Sequence, residues 1–135
     1  MTHWVFISST TRFRMNDWLE VSDYVEFIQK NKVKVNDVVY LYTTAPVCRI
    51  EFMMVVDRIN VPYDELIDDS AYSLHPGSSC VDKDTLCCRL KLVKKVNTPL
   101  LHLDLLRSKG LRASMQSPFR VTGDLLDYIE KQFID

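Results

Sequence analysis

The clearest structural signal in the chain is the segment Val35-Asn36-Asp37-Val38-Val39-Tyr40-Leu41-Tyr42. Asn36-Asp37 is a turn signal, and the β-branched and aromatic residues after it predict a buried strand over Val38–Thr43. This strand is predicted to stop at Thr44-Ala45-Pro46, where a proline interrupts the pattern. A strand bounded by turns on both sides is therefore the element from which the rest of the fold is built outward.

Upstream of this strand, three further elements are predicted. His3–Ser8 is rich in β-branched and aromatic residues and indicates a buried strand. The segment from Arg12 to Leu19 is expected to be a loop or a short helix. Ser22 is a suitable N-cap, and the apolar residues that follow it at helical spacing predict a helix. Those apolar residues are Tyr24, Val25, Phe27 and Ile28.

Downstream, Val47–Val61 predicts a long strand with one wetter face, followed by a short helix that begins near Pro62. Residues 67–85 are predicted to be an irregular surface segment. The remaining elements are a strand over 86–96, a short helix over 103–108 closed by Gly110, a short extended segment over 112–118 and a final helix from 122.

Neighbouring central strands are joined by short turns rather than by crossover helices. This order predicts an α+β fold with a mixed or antiparallel sheet, curled into a barrel. It argues against a doubly wound Rossmann-type sheet.

Length and composition predict one globular domain, 1–135. A chain of 135 residues with 47% apolar side chains can bury a core without a structural metal ion or disulfide bonds. The longest apolar runs are five residues, which predicts no membrane span. No signal peptide is recognised, so a cytoplasmic location and free thiols are expected. The oligomeric state is not predicted.

Enzyme motifs are absent from the sequence. It contains no G-x-G-x-x-G, G-x-x-x-x-G-K-[ST], H-E-x-x-H or G-x-S-x-G, and three scattered glycines do not form a phosphate-binding loop. His75 beside Asp68 and Asp69, or beside Cys80, is the weak candidate for acid–base or nucleophilic chemistry. A zinc site would require His75, Cys80, Cys87 and Cys88, which lack a C-x-x-C pair. No metal, cofactor or catalytic residue is therefore predicted.

Charge is distributed unevenly. Seventeen basic and eighteen acidic residues give −1, so a nucleic-acid partner would not be held by bulk charge. However, 86–120 carries eight basic residues and one acidic, whereas 57–84 carries seven acidic and two basic. The basic segment is either a set of solvated faces or a side that contacts a phosphate backbone. Trp18, after a polar loop, is either a core residue or one wall of a pocket that stacks a planar ligand.

The order of elements and two strand sequences resemble the EVE-type domains of the PUA-like superfamily, a group related to the YTH domains. The opening strand His3–Ser9 looks like the family's first strand. Residues 35–42 are similar to its V-G-D-x-V-x-x-Y strand, with Asn36 in place of the glycine. The pattern of strand, short helix and last helix over 90–129 is also similar, so the resemblance covers nearly the whole chain.

The resemblance implies a pseudo-barrel with surrounding helices and a pocket for a flipped, modified base of DNA or RNA. The matching positions imply ligand contacts from aromatic, hydroxyl and amide side chains, and phosphate contacts from arginines. The implied ligand-binding residues are Ser8, Ser9, Trp18, Tyr42, Thr43, Thr44, Gln116 and Ser117. The implied backbone-binding residues are Arg12, Arg14, Arg112 and Arg120.

Three functions follow as hypotheses. The first is a non-catalytic module that recognises a modified nucleobase in DNA or RNA. The second is a small nucleotide- or RNA-processing enzyme that uses His75 or Lys34 for acid–base chemistry. The third is a protein-interaction module that uses the acidic irregular segment.

Overall fold

The computed structural model describes residues 1–29, 32–74 and 84–134. Within these residues the chain forms six strands and three α-helices around one sheet. The strands are β1 (His3–Ser8), β2 (Tyr24–Ile28), β3 (Val38–Thr43), β4 (Arg49–Val61), β5 (Cys87–Lys95) and β6 (Phe119–Val121). The helices are α1 (Met15–Val21), α2 (Leu103–Ser108) and α3 (Gly123–Lys131).

The six strands form a single mixed sheet in the order β2-β5-β4-β3-β1-β6, curled into a half-barrel. β1 and β3 are parallel and directly paired, and every other neighbouring pair is antiparallel. The predicted α+β fold with a curled mixed sheet and surrounding helices is therefore confirmed. None of the described helices is long and apolar enough to cross a membrane.

Two apolar clusters lie on opposite faces of the sheet. Because side chains alternate along a strand, Trp4 and Phe6 of β1 pack on the α1 face, whereas Val5 packs on the face that α2 and α3 cover. The same alternation in β3 sends Leu41 to the α1 face and Tyr40 to the α3 face. By this alternation Ser8 and Thr43, which are register partners, both lie on the α1 face at the end of their strands.

The helix predicted after Ser22 is wrong, because residues 24–28 form strand β2, paired with β5. The spacing of the apolar residues fits a helix, but pairing with an exposed sheet edge satisfies their backbone groups instead. Val25 is buried opposite Leu90, and Glu26 lies opposite Arg89, with an Nη2–Oε2 distance of 2.8 Å. Tertiary pairing has overridden a short local pattern.

The turn before β3 is held by the buried carboxylate of Asp37. It accepts hydrogen bonds from the backbone N–H of Thr2 at 3.0 Å, the indole N–H of Trp4 at 3.1 Å and the backbone N–H of Lys34 at 2.9 Å. Burial by itself raises the pKa of Asp37, but these three hydrogen bonds outweigh it and hold the pKa below its usual value. Asn36 has φ +75°, in the left-handed region that asparagine tolerates.

We expect Asp37→Asn to lower the free energy of unfolding by about 1–2 kcal/mol at pH 7, because the amide loses the charge-assisted bonds. Since the folded pKa is lowered, this contribution is complete above about pH 4 and is lost as the pH falls through the folded value. Urea unfolding of both proteins at pH 7 and pH 3 measures it, with the exposed Asp57→Asn as control. An equal difference at both pH values would contradict the assignment.

Candidate functional site

An open cavity of about 170 Å³ lies at the ends of β1 and β3, beneath the segment that leads into α1. Its volume is similar to the roughly 150 Å³ of an engineered protein cavity that binds benzene. Apolar, hydroxyl, amide and charged side chains share its walls. They are Ser8, Thr10, Phe13, Arg14, Met15, Asn16, Asp17 and Thr43.

The amphipathic sequence of α1 explains why these walls face the strand ends. Met15, Trp18 and Leu19 fall at helical spacing and are buried against the α1 face of the sheet. This packing fixes the helix and leaves Asn16 and Asp17 beside the cavity.

Thr43 has the most informative side chain in the cavity. The residue is 3% exposed, lines the cavity, and its hydroxyl is a buried polar group without a hydrogen-bond partner among the described residues. An unpartnered buried hydroxyl costs about 1–3 kcal/mol, and at a cavity wall the missing partner can be a water molecule or a ligand. Ser8, its register partner, is 4% exposed and lines the same cavity.

A buried polar group that the sequence analysis missed adjoins this wall. Arg49 is the β4 register partner of Thr43, and its Nη2 lies 3.5 Å from Oε2 of Glu51. Oε1 of Glu51 accepts a hydrogen bond from Nδ2 of Asn16 at 3.1 Å. The alternation of Arg49 and Glu51 in the mostly apolar first half of β4 was the available signal, but the sequence analysis assigns it only to the wetter face of the strand.

Two hydroxyl residues of the predicted set tie the loops together. The backbone N–H of Thr10 donates to Oγ1 of Thr44 at 3.0 Å, and the N–H of Thr44 donates to the carbonyl of Ser8 at 3.1 Å. Oγ of Ser9 lies 3.0 Å from Oγ1 of Thr11. Ser9 and Thr44 therefore shape the rim without lining the cavity.

Arg14 lines the cavity and Arg12 is exposed nearby in sequence. The Arg14 guanidinium donates to the carbonyl of Ala71 at 2.6 Å and lies 5.5 Å from the ring centroid of Tyr72. With Asp17 on the same wall, the charges nearly balance, which suits a neutral polar ligand in the cavity better than a phosphate.

Trp18 lies in the core, which is one of the two alternatives that the sequence leaves open for it. It is 7% exposed, and its indole N–H donates to the carbonyl of Tyr24 at 2.7 Å. Its ring packs edge-on against Phe13 and Tyr72, with centroids 6.4 and 5.2 Å away. The aromatic residue that does line the cavity is Phe13.

Tyr42 lies on the opposite side of the sheet from the cavity. It is buried in the α3-face cluster, where burial and then the thiol of Cys48 raise its pKa to about 12. The side-chain alternation along β3 separates it from Thr43, its neighbour in sequence.

The other predicted residues lie outside the cavity walls. Gln116 and Ser117 are exposed in the segment before β6, Arg112 is exposed after α2, and Arg120 is exposed in β6 opposite Trp4. The structure therefore brings Ser8, Thr43 and Arg14 together at one cavity and leaves these four apart from it.

Two residues of the weaker enzyme and metal hypotheses, His75 and Cys80, lie outside the described residues. In the described part of the chain, no group of three or more His, Cys, Asp or Glu side chains is placed to hold a metal ion. Cys87 and Cys88 are buried in β5, and burial raises the pKa of both thiols, that of Cys88 to about 12.

No protein-family model matches the sequence, and no curated protein is similar to it in sequence. Solved structures match it across nearly the whole chain. A protein from Rhodopseudomonas palustris has a TM-score of 0.68 at 13% identity, covering 98% of this chain and 92% of that chain. The ASCH protein of Zymomonas mobilis has a TM-score of 0.67 at 10% identity, covering 96% and 94%.

Human THYN1, crystallised with DNA containing 5-methylcytosine, has a TM-score of 0.67 at 12% identity, covering 97% of this chain and 96% of that chain. Because the sequence identities are this low, these matches establish a shared fold only. The sheet order, the parallel β1–β3 pair and the flanking helices therefore give the protein the PUA-like fold that EVE and ASCH domains share.

Proposed function

We propose that the protein is a non-catalytic module that binds DNA or RNA and accepts one modified base in the strand-end cavity. The observation that carries the proposal is the unpartnered hydroxyl of Thr43 at the wall of a cavity of about 170 Å³. The shared fold with human THYN1, crystallised with 5-methylcytosine DNA, supports nucleic acid as the ligand class.

The cavity walls suit a planar base. Phe13 contributes an aromatic ring to the wall and Met15 contributes apolar surface, the side-chain types that contact bases and methyl groups. Ser8, Thr43 and Asn16 provide hydroxyl and amide groups that read a base edge. A base reaches such a pocket only from a single strand or after extrusion from a duplex, which costs a few kcal/mol.

The protein surface suits modest help from phosphates. Arg12 is exposed beside the cavity segment, while the net charge of the whole chain is −1. Bound phosphates near Arg12 would orient the strand without selecting the base.

Binding measured by fluorescence anisotropy at fixed salt tests the proposal. Oligonucleotides of DNA and RNA, single- and double-stranded, differ at one position that carries cytosine, 5-methylcytosine or 5-hydroxymethylcytosine. We expect at least one modified form to bind about tenfold more tightly than its unmodified counterpart. The absence of measurable binding, or equal binding of all forms, would refute the proposal.

A variant separates base recognition from backbone contact. We expect Arg12→Ala to weaken binding to all oligonucleotides alike and to lower the dependence of log affinity on log salt concentration by about one. The control is Arg58→Ala, at a residue paired with Glu65.

A second experiment tests the enzyme hypothesis. Oligonucleotides recovered after incubation with the protein are digested to nucleosides, and the nucleoside masses are measured by mass spectrometry. Unchanged nucleosides support a binding module, whereas a new product would favour the enzyme hypothesis.

A further inference from the structure

We propose that Glu51 is a specificity-determining residue, because it fixes the orientation of the Asn16 amide so that its carbonyl oxygen favours a hydrogen-bond donor on the ligand. This inference rests on the proposed function, since it concerns how the same cavity reads a base. Glu51 does not line the cavity and acts through Asn16, so it is a positioning residue.

The position of Glu51 follows from an irregularity in β4. Leu41 pairs with Phe52 while the next residue, Tyr42, pairs with Ile50, so Glu51 is the extra residue of a β-bulge. A bulge re-aims side chains locally. It places the Glu51 carboxylate, 6% exposed, against α1, where an apolar side chain would otherwise belong.

Both oxygens of this carboxylate face donors. Oε1 accepts from Nδ2 of Asn16 at 3.1 Å, and Oε2 lies 3.5 Å from Nη2 of Arg49. An ionised carboxylate can only accept hydrogen bonds, so the NH₂ end of the Asn16 amide must face Glu51. The reverse orientation would set the Asn16 carbonyl oxygen against the carboxylate.

The amide orientation determines what the cavity offers. With Nδ2 directed to Glu51, Asn16 retains its carbonyl oxygen Oδ1 as the acceptor for a ligand. The hydroxyl of Thr43 rotates and either donates or accepts, so it adapts to the ligand. The second N–H of the Asn16 amide remains a donor, so the orientation favours a ligand with an N–H group at the carbonyl oxygen without excluding one that accepts.

Two natural bases provide an isosteric test. 5-Methylcytosine and thymine share a ring and a methyl group, but at position 4 the first carries an amino donor and the second a carbonyl acceptor. Because the pattern at N3 is reversed as well, the comparison tests whether Asn16 contacts the group at position 4. The probes are oligonucleotides of adenines in which one position carries either 5-methylcytosine or thymine. We expect the wild-type protein to bind the 5-methylcytosine form about tenfold more tightly than the thymine form. In Glu51→Gln, which keeps the side-chain size, the new amide can donate or accept, so Asn16 can flip and this ratio should approach one.

A second readout needs no ligand. In the free wild-type protein, the Asn16 side-chain amide hydrogens should exchange with solvent about tenfold more slowly than in Glu51→Gln, as measured by NMR. The control is Glu65→Gln, which removes a carboxylate from an exposed pair with Arg58. It should leave both the base ratio and the Asn16 exchange unchanged.

The outcomes distinguish the two claims. Glu51→Gln that keeps the wild-type base ratio overturns the role of Glu51 while the proposed function stands. A uniform loss of affinity for both bases also overturns it, because a structural role predicts that result. A wild-type protein that binds neither oligonucleotide overturns this inference, and the full set of DNA and RNA oligonucleotides then decides whether the proposed function falls with it.

Discussion

Trp18→Ala is expected to lower the free energy of unfolding by about 3–5 kcal/mol, the cost of removing a large aromatic side chain from a packed core. Trp18 is 7% exposed and packs between α1 and the sheet, so alanine would leave a cavity in the core. Its indole N–H also donates to the carbonyl of Tyr24 at 2.7 Å, which would keep only the longer bond from the Ser22 hydroxyl at 3.3 Å. Urea unfolding followed by circular dichroism measures the change.

Trp18→Phe is the informative companion variant. It keeps a ring in the core but loses the hydrogen bond to Tyr24, so we expect a loss of about 1–3 kcal/mol with a folded protein. Because Trp18 does not line the cavity, the preference for a modified base should remain at the wild-type ratio. Loss of that preference in the folded phenylalanine variant would place Trp18 at the ligand and contradict the core assignment.

Thr43→Val is expected to change stability and binding in opposite directions. Valine keeps the shape of threonine and removes the unpartnered hydroxyl, so the free protein should gain about 1 kcal/mol of stability, or about 4 °C in Tm. A base that uses this hydroxyl would lose its partner, which corresponds to about 30-fold weaker binding of the modified oligonucleotide. Differential scanning calorimetry and anisotropy measure the two effects.

Thr43→Ser is the matched control, because it keeps the hydroxyl and removes a methyl group. We expect near wild-type binding with a stability loss of about 1 kcal/mol. A purely structural role for Thr43 predicts that valine lowers both stability and binding. Unchanged binding in Thr43→Val would remove this hydroxyl from the ligand site.

The strands that carry the fold were accessible from local sequence. Val38–Thr43 was predicted with its observed bounds, and His3–Ser8 and the short helix 103–108 also match. Gly110, predicted to close that helix, has φ +107°, a value that favours glycine. These elements are bounded by turn or capping residues, so their limits depend on neighbours in the chain.

The prediction of secondary structure was wrong where pairing with a distant strand determines the conformation. The apolar residues of 24–28 match a helix by spacing, yet they form an edge strand because β5 supplies hydrogen bonds and a buried position for Val25. The five residues of this segment carry no information about β5, the strand with which they pair. Local periodicity cannot distinguish the two outcomes for so short an apolar segment.

The candidate site shows the same division. Ser8 and Thr43, predicted as ligand contacts, line one cavity together with Arg14, which was predicted to contact phosphates, whereas Tyr42 lies on the other face. The sequence by itself determined strands β1, β3, β4 and β5, the turns and the polar residues at the strand ends, because these depend on neighbours along the chain. Tertiary structure alone decided which polar residues share a cavity, because strand register, a β-bulge at Glu51 and the packing of α1 bring distant segments together.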